Sequence, residues 1–351
     1  MVKGSDMNIY GWLRRFSHLG GARLKLAAMW VMHITGRRYL GVYIDPVLGC
    51  NYRCQMCYFS DEDTRRQRHG RMTAQQIDNV ARALFPSALK LQIGCGAEPS
   101  IDIRGTQQLI ELGKNYHIPY ISLTSNGVLL TEPVLQRLVV AGLDELTISL
   151  HGIHRDTYES LMGPTAKYDA FLSLLATLKN IKHNYPKFSI RVNYTMNADN
   201  VDELCDFDTL FADIPIDVLQ LRPIRKIGHS QYSNFNLSHV SECLETIVRP
   251  LAERCRQRGT IVLFPEQINI EHFEGKVQSS AREQLIPLFT YFNITPQSYA
   301  TNDIHFEDED YNAYCRRRHI GKRMLESIVV SERNCAKMGS SLSNSLNYDI
   351  R

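Results

Sequence analysis

The sequence has no apolar run long enough to cross a bilayer. Leu26 to Met32, the apolar run near the start, is seven residues long, where a spanning helix needs roughly 20. No small-residue cleavage site follows it, so it does not read as a secretion signal. Excess charge is also lacking: the net charge is +3 over 351 residues, too little to argue for a nucleic-acid partner. Short-period repeats and low-complexity stretches are absent. The nine cysteines are an odd number, and without an export signal they do not suggest a disulfide framework. A reducing compartment, the cytoplasm, is the expected address.

Apolar residues make up 44% of the chain, enough for a real core. The length suits one large domain with a smaller appendage. The first 40 residues are basic: Lys3, Arg14, Arg15, Arg23, Lys25, Arg37 and Arg38 stand against Asp6 alone, leaving about −3 on the remainder. Residues 1–37 are expected to form a basic helical segment packed on the main domain. Peripheral contact with a membrane surface is the alternative.

Between residues 38 and 265, short apolar runs alternate with helix-period segments. Strands are expected at Tyr39–Asp45, Leu89–Ile93, Tyr120–Thr124, Glu145–Leu150, Ser189–Thr195, Asp217–Leu221 and Thr260–Phe264. Helices are expected between them, with Thr73, Thr131, Asp199 and Ser238 at N-cap positions. Such alternation implies βαβ units and a parallel sheet, either a partial barrel or an open doubly wound sheet. Residues 266–351 lose the alternation and are expected to form a separate C-terminal region.

Cys50, Cys54 and Cys57 lie in Leu48-Gly-Cys-Asn-Tyr-Arg-Cys-Gln-Met-Cys57, a C-x3-C-x2-C spacing. Three thiolates this close on one loop suit three irons of a [4Fe–4S] cluster, with the fourth iron left for a small molecule. A structural zinc site wants four ligands, usually in two pairs, and no second pair lies nearby. This spacing, just after an apolar segment, resembles the signature of the radical S-adenosylmethionine (AdoMet) superfamily. The resemblance implies that the unique iron binds AdoMet, and that reductive cleavage gives a 5′-deoxyadenosyl radical that takes hydrogen from substrate. It also selects the partial (β/α)6 TIM-like barrel over the open sheet, with cofactors at the carboxyl ends of the strands. One departure is Met56, where the family usually has an aromatic residue; Met is adaptable enough to sit beside adenine.

The other family elements follow in order. Gly94-Cys-Gly-Ala-Glu-Pro99 resembles the Gly-Gly-Glu-Pro turn whose backbone binds the methionine amino group. The resemblance therefore assigns Gly94, Gly96, Ala97 and Glu98 to AdoMet, with Ala97 replacing the second glycine. Asn126, in Thr124-Ser-Asn-Gly127, resembles the family's Thr-Asn-Gly element. Ser149 matches a Ser that contacts the AdoMet carboxylate or ribose, while His151 replaces the usual Asp and carries no catalytic assignment. On the fifth strand Arg191, Asn193 and Thr195 share one face, and the resemblance points Arg191 and Asn193 toward AdoMet. Leu221 is placed against adenine. Cys95, Cys205, Cys243 and Cys255 read as ordinary core or surface thiols.

Cys315 and Cys335 bracket the strand-like run Ser327-Ile-Val-Val-Ser331 and a turn at Glu332-Arg-Asn334. They resemble the opening of the family's SPASM or twitch extension, where two cysteines flank a β-hairpin and ligate an auxiliary cluster. The glycine before the second cysteine and the following C-x2-C-x5-C-x3-C group are missing, so a degenerate extension or a cap is the leading expectation and a second iron–sulfur cluster the lesser one. Glu307-Asp-Glu-Asp310 is expected to be a solvated acidic loop. The resemblance implies an electron donor such as flavodoxin or ferredoxin and favours a peptide or protein substrate. Sugar, lipid-linked or small biosynthetic substrates come next, then a non-catalytic iron–sulfur electron carrier. A cobalamin-dependent methylating relative is not expected, since no extra domain precedes the thiol loop.

Overall fold

The computed structural model describes residues 21–226, 228–268 and 280–342. The basic residues Lys3, Arg14 and Arg15 lie outside the described residues. Eight parallel strands form one sheet: β1 (Leu40–Ile44), β2 (Ala88–Ile93), β3 (Tyr120–Ser125), β4 (Glu145–Leu150), β5 (Ser189–Met196), β6 (Val218–Pro223), β7 (Ile261–Leu263) and β8 (Tyr291–Ile294). Their order is β8-β1-β2-β3-β4-β5-β6-β7, so β1 to β7 are laid down in sequence and β8 returns beside β1. All seven expected strands are present. This is the parallel α/β architecture expected of a partial barrel.

Helices α1 (Ala22–Ile34), α2 (Ala74–Leu84), α3 (Ile103–Asn115), α4 (Glu132–Ala141), α5 (Arg155–Met162), α6 (Tyr168–Asn184), α7 (Ser238–Cys243) and α8 (Arg249–Gln257) connect or flank the strands. Helix α2 shows how local sequence sets these boundaries. Thr73 caps it in a reciprocal capping box with Gln76, and Ile77, Val80, Ala81 and Leu84 form its buried stripe. Thr131 precedes α4 without a side-chain cap, and Ser238 is the first residue of α7 rather than its cap. Asp199 lies before the 3-10 turn Asp202–Asp206, outside any cap position.

The sheet is two-faced. Val42, Ile44, Leu91, Ile93, Ile121, Leu123, Leu146, Ile148, Ile190, Val192, Tyr194, Leu219 and Leu221 are fully buried in the core. The intervening positions are polar and form ladders through the strand register: Gln92 beside Ser122, Ser122 beside Glu145, Thr147 beside Arg191, Ser149 beside Asn193 and Asn193 beside Gln220. Apolar side chains meet the helices, and polar ones line the concave side.

The C-terminal region differs from expectation. Helix α9 (Ala281–Thr290) leads into β8, which joins the sheet, and α10 (Tyr311–Arg317), α11 (Ile320–Val329) and α12 (Glu332–Leu342) follow. No hairpin forms around Ser327–Ser331: residues 327–329 end α11, where Ile320, Met324 and Ser327 recur at helical spacing and are buried, and Val330 is extended. Arg282, from α9, closes the end of α11. Its guanidinium donates to Ser327 O at 2.9 Å and to Val330 O, and it pairs with Glu332 at 2.8 Å. Those carbonyls are the ones a helix leaves unpaired.

Cys315 and Cys335 consequently do not flank a hairpin. Cys315 sits on α10 beside Tyr39 and Tyr311, with burial pushing its thiol up to about 12. Cys335 is fully buried on α12, its Sγ 3.8 Å from Ser327 O. The acidic stretch 307–310 is also used locally: Glu309 pairs with Arg317 at 2.8 Å and Asp310 caps α10. Among the described residues no helix is long and apolar enough to cross a membrane.

Replacing Arg282 by Ala removes the guanidinium from Ser327 O, Val330 O and the Glu332 carboxylate, which keeps only the backbone N–H of residue 282. Urea denaturation of the metal-free protein should show a loss of about 3 kcal/mol. Glu332→Gln, at a half-exposed partner, should cost under about 1 kcal/mol.

Candidate active site

Beyond β1 the chain passes Asp45 and Pro46 and forms a short antiparallel ribbon, Val47–Leu48 against Gly70–Arg71. That ribbon delivers Cys50, Cys54 and Cys57 to the carboxyl end of the sheet. The loop is closed by Cys57 N–H donating to Cys54 O at 2.9 Å. Arg53 folds back to donate to Cys50 O at 2.5 Å and Tyr52 O at 2.7 Å. Two amides already point at sulfur: Tyr52 N–H on Cys50 Sγ and Phe59 N–H on Cys57 Sγ, both at 3.4 Å. Gly163, just after α5, abuts this loop. A Cβ there would lie 2.3 Å from Arg53 O, and its φ of +94° is one that L residues avoid.

All three thiols are free and partly buried. Burial pushes Cys50 up to about 12, with Glu98 the next cause. Cys54 is raised well above its ordinary value by burial, then by Cys50 and Cys57; Cys57 is raised by burial. Burial is thus the first cause disfavouring each of the three thiolates in the metal-free protein. This donor set, with its inward amides, fits a [4Fe–4S] cluster held by Cys50, Cys54 and Cys57.

The turn after β2 is fixed by two buried carboxylates. Gly94 has φ +78°, and a Cβ there would lie 2.3 Å from Thr124 O, so the position requires glycine. Asp45 accepts from Cys95 N–H at 2.8 Å and from Gly96 N–H at 3.1 and 3.2 Å. Burial nonetheless lifts its pKa to about 6. Tyr58, directly after the third thiol, donates its hydroxyl to Gly96 O. Ala97 is half-buried on the same turn.

Glu98 is almost fully buried, and its N–H donates to Gly49 O at 2.8 Å. Its carboxylate accepts from Ser100 N–H at 3.0 Å, Ser100 Oγ at 2.5 Å, Ser125 Oγ at 2.6 Å and Asn126 N–H at 2.8 Å. Asn126 then donates to Asn51 Oδ1 at 2.8 Å, inside the thiol loop. Asp45 and Asn51 escaped the sequence reading. An acid at the last position of a strand facing a glycine turn was the available signal for Asp45.

Of the remaining sequence-assigned residues, Ser149 and Asn193 are brought together, directly opposite one another on β4 and β5. Asn193 Oδ1 and His151 Nδ1 are buried without a hydrogen-bond partner. Such groups are costly unless a ligand completes them. Each can accept from a hydroxyl donor. His151 is held near pKa 4, chiefly by burial and then by Arg222, and so is neutral at physiological pH. Met56 is buried on the wall, its Sδ 3.2 Å from Asn197 Nδ2. Cys95 is raised well above its ordinary value by burial, and its Sγ lies 3.8 Å from Gln92 O.

Two assignments need correction. Arg191 lies at the floor of the concave face, pairing with Glu145 at 3.2 Å and Gln220 Oε1 at 3.2 Å, where both charges are buried. Its guanidinium is spent neutralising Glu145, one turn of the pleat below Asn193. Leu221 is in register with Tyr194 and fully buried. It points to the helices, because alternation gives the concave side to Gln220 and Arg222.

Two outcomes follow. Gly163→Ala should keep the circular dichroism spectrum but lower the iron retained after reconstitution by more than half, since the thiol loop must shift. Asp45 has a folded pKa raised above the unfolded one. Its contribution is full below about pH 4 and is lost as pH rises through about 6. Urea denaturation of the metal-free protein should show a decline on the order of 2 kcal/mol across that window, absent in Asp45→Asn.

Residues 44–216 match the radical SAM superfamily. A protein of Saccharolobus solfataricus named "Probable GTP 3′,8-cyclase" is 25% identical over 232 residues, 65% of this chain and 72% of the relative. One of the same name from Metallosphaera sedula is 27% identical over 209 residues, 60% of this chain. The match spans 63% of that relative's length, just under two thirds. Among solved structures, Streptococcus suis SuiB bound to S-adenosylmethionine shares the fold, with a TM-score of 0.56 and 15% identity over 82% of this chain and 70% of SuiB. With three thiols at the carboxyl ends of parallel strands and that match running from β1 to the edge of β6, residues 44–216 form a radical SAM domain.

Proposed function

We propose that the chain is a radical AdoMet enzyme acting on a substrate that carries an anionic group. When bound, the [4Fe–4S] cluster and AdoMet supply a reductively generated 5′-deoxyadenosyl radical that removes hydrogen from an unactivated C–H bond. The observation that carries the reading is the pair of buried, unpartnered atoms, Asn193 Oδ1 and His151 Nδ1, set in a polar concavity beside three thiols.

The chain's own residues have limited tasks. Cys50, Cys54 and Cys57 hold the cluster. The turn Gly94–Pro99, braced by Asp45 and Glu98, presents backbone to AdoMet. Ser149 and Asn193 meet its polar groups, and the apolar wall at Met56 excludes water. A low-potential electron donor such as flavodoxin or ferredoxin completes the system.

Arg222 supports an anionic substrate. It is largely buried at the end of β6, and its charge is disfavoured first by burial, then by Arg191 and Arg225. A bound anion reverses that cost. The relatives' printed name, with GTP in it, fits the same chemistry. The peptide reading leaned on a two-cysteine hairpin, and no hairpin forms there.

Anaerobic reconstitution, reduction with dithionite and chromatography should reveal 5′-deoxyadenosine with wild type and none with the Cys50/Cys54/Cys57 triple alanine variant. A normal cluster spectrum without 5′-deoxyadenosine identifies an electron carrier and ends the proposal. Asn193→Ala should raise the KM for AdoMet roughly tenfold, the worth of about one buried hydrogen bond. Arg222→Met should abolish binding of a GTP probe in equilibrium dialysis; equal binding by both proteins removes Arg222 as the anion's partner.

A further inference from the structure

Away from the thiol loop, three donors of different chemistry converge: Asp202, His239 and Cys243, all within 4.8 Å of one another. Asp202 opens the 3-10 turn that follows β5. His239 and Cys243 are four residues apart on α7, so they share one helix face. Asp202 Oδ2 lies 2.7 Å from His239 Nε2, and Asp202 Oδ1 lies 3.5 Å from Cys243 Sγ. Cys243 Sγ is 3.7 Å from His239 Nε2.

We propose that Asp202, His239 and Cys243 form a second metal site, for a zinc-like divalent cation, that ties the turn after β5 to helix α7. Tetrahedral coordination with zinc's usual bond lengths places sulfur about 3.6 Å from nitrogen or oxygen, and nitrogen about 3.4 Å from oxygen. The sulfur distances to His239 Nε2 and to Asp202 Oδ1 already match; Oδ2 is the oxygen that meets His239, so coordination by a single oxygen needs a turn of the Asp202 carboxylate and an opening of that contact by roughly 0.7 Å. Asp202 and His239 are partly exposed, which leaves an entry path and room for water as a fourth ligand. The donor set, one thiolate, one imidazole and one carboxylate, is of borderline softness and favours zinc over magnesium or calcium.

Neighbouring features agree. His239 turns Nδ1 toward Glu242, 3.6 Å away, while Nε2 faces the other two donors. A carboxylate on the far nitrogen is the usual way a ligating imidazole is oriented. Cys243 stands where the helix passes into a π-turn, Leu244–Val248, a distortion that re-aims side chains and recurs at functional sites. Cys205, three residues after Asp202, lies on the same side of the 3-10 turn and acts electrostatically on Cys243. Cys205 is outside the converging group, which comprises Asp202, His239 and Cys243.

The location gives the site a task. Between β6 and α7 the chain crosses the thiol loop: Gln231 N–H donates to Ser60 Oγ at 2.9 Å and Tyr232 N–H to Gln55 O at 3.0 Å. Tyr232 also donates to Asp199 Oδ2 at 2.7 Å. A cation at Asp202, His239 and Cys243 pins the far end of that crossing segment to the strand end beneath it.

The test uses the full chain carrying Cys50, Cys54 and Cys57 as alanines, so that no iron–sulfur absorbance interferes and AdoMet cleavage plays no part. Titration with Co2+ should give one equivalent of tetrahedral d–d absorption and a thiolate charge-transfer band, both displaced by Zn2+. Cys243→Ser should lose the charge-transfer band, and His239→Ala, at a half-exposed position that folding tolerates, should weaken binding at least tenfold. Bound zinc should also slow proteolysis within 228–237 several-fold. No stoichiometric Co2+ binding, or binding unchanged in His239→Ala, overturns the proposal.

Discussion

The buried carboxylate of Glu98 is the constraint on which the rest of the site depends. It is removed from water and accepts four hydrogen bonds, from Ser100, Ser125 and Asn126. Its own N–H is tied to Gly49. One side chain therefore fixes the turn after β2 to the end of β3 and, through Asn126 and Asn51, to the thiol loop. Burial raises its pKa, while each of those donors lowers it. A buried acid of this kind is tolerated only when fully satisfied, which makes the three segments one unit.

The same economy shapes the sheet. Parallel strands usually bury both faces in apolar packing; here the helix side is apolar and the concave side carries polar groups. Its lower row is self-satisfied: Gln92 with Ser122 and Thr124, Glu145 with Arg191, Arg191 with Gln220. Its upper row, nearer the strand ends, holds Ser149, Asn193 and His151, with two atoms still lacking partners. The division between a closed floor and an open upper layer separates what stabilises the fold from what receives a ligand.

Much of this was legible in the sequence, for identifiable reasons. The seven strands could be read because each is a short apolar run bounded by helix-period segments. Strand β8 could not: Tyr291–Ile294 follows directly on α9, which contains Pro287, and only its register with β1 marks it as a strand. The run Ser327–Ser331 looked extended because it is β-branched, yet its helix is set by Ile320 and Met324 and closed by Arg282, 45 residues from Ser327. The thiol triad was visible as spacing. Arg191 was placed on the right face at the wrong depth, because alternation reports the side of a sheet and says nothing of the distance from its end. Leu221 shows the reverse, since alternation with Gln220 and Arg222 already assigned it to the helices.

The turn held by Asp45 also decides the sign of charge it welcomes. Glycine-rich turns at strand ends commonly gather their amide hydrogens into a concave nest for phosphates. Here the amides of Cys95 and Gly96 face inward onto a carboxylate, so their positive ends are consumed within the protein. The carbonyl oxygen of Gly96 is engaged as well, by the Tyr58 hydroxyl. The loop has the composition of a phosphate cradle, yet a phosphate would find the amides of Cys95 and Gly96 already engaged.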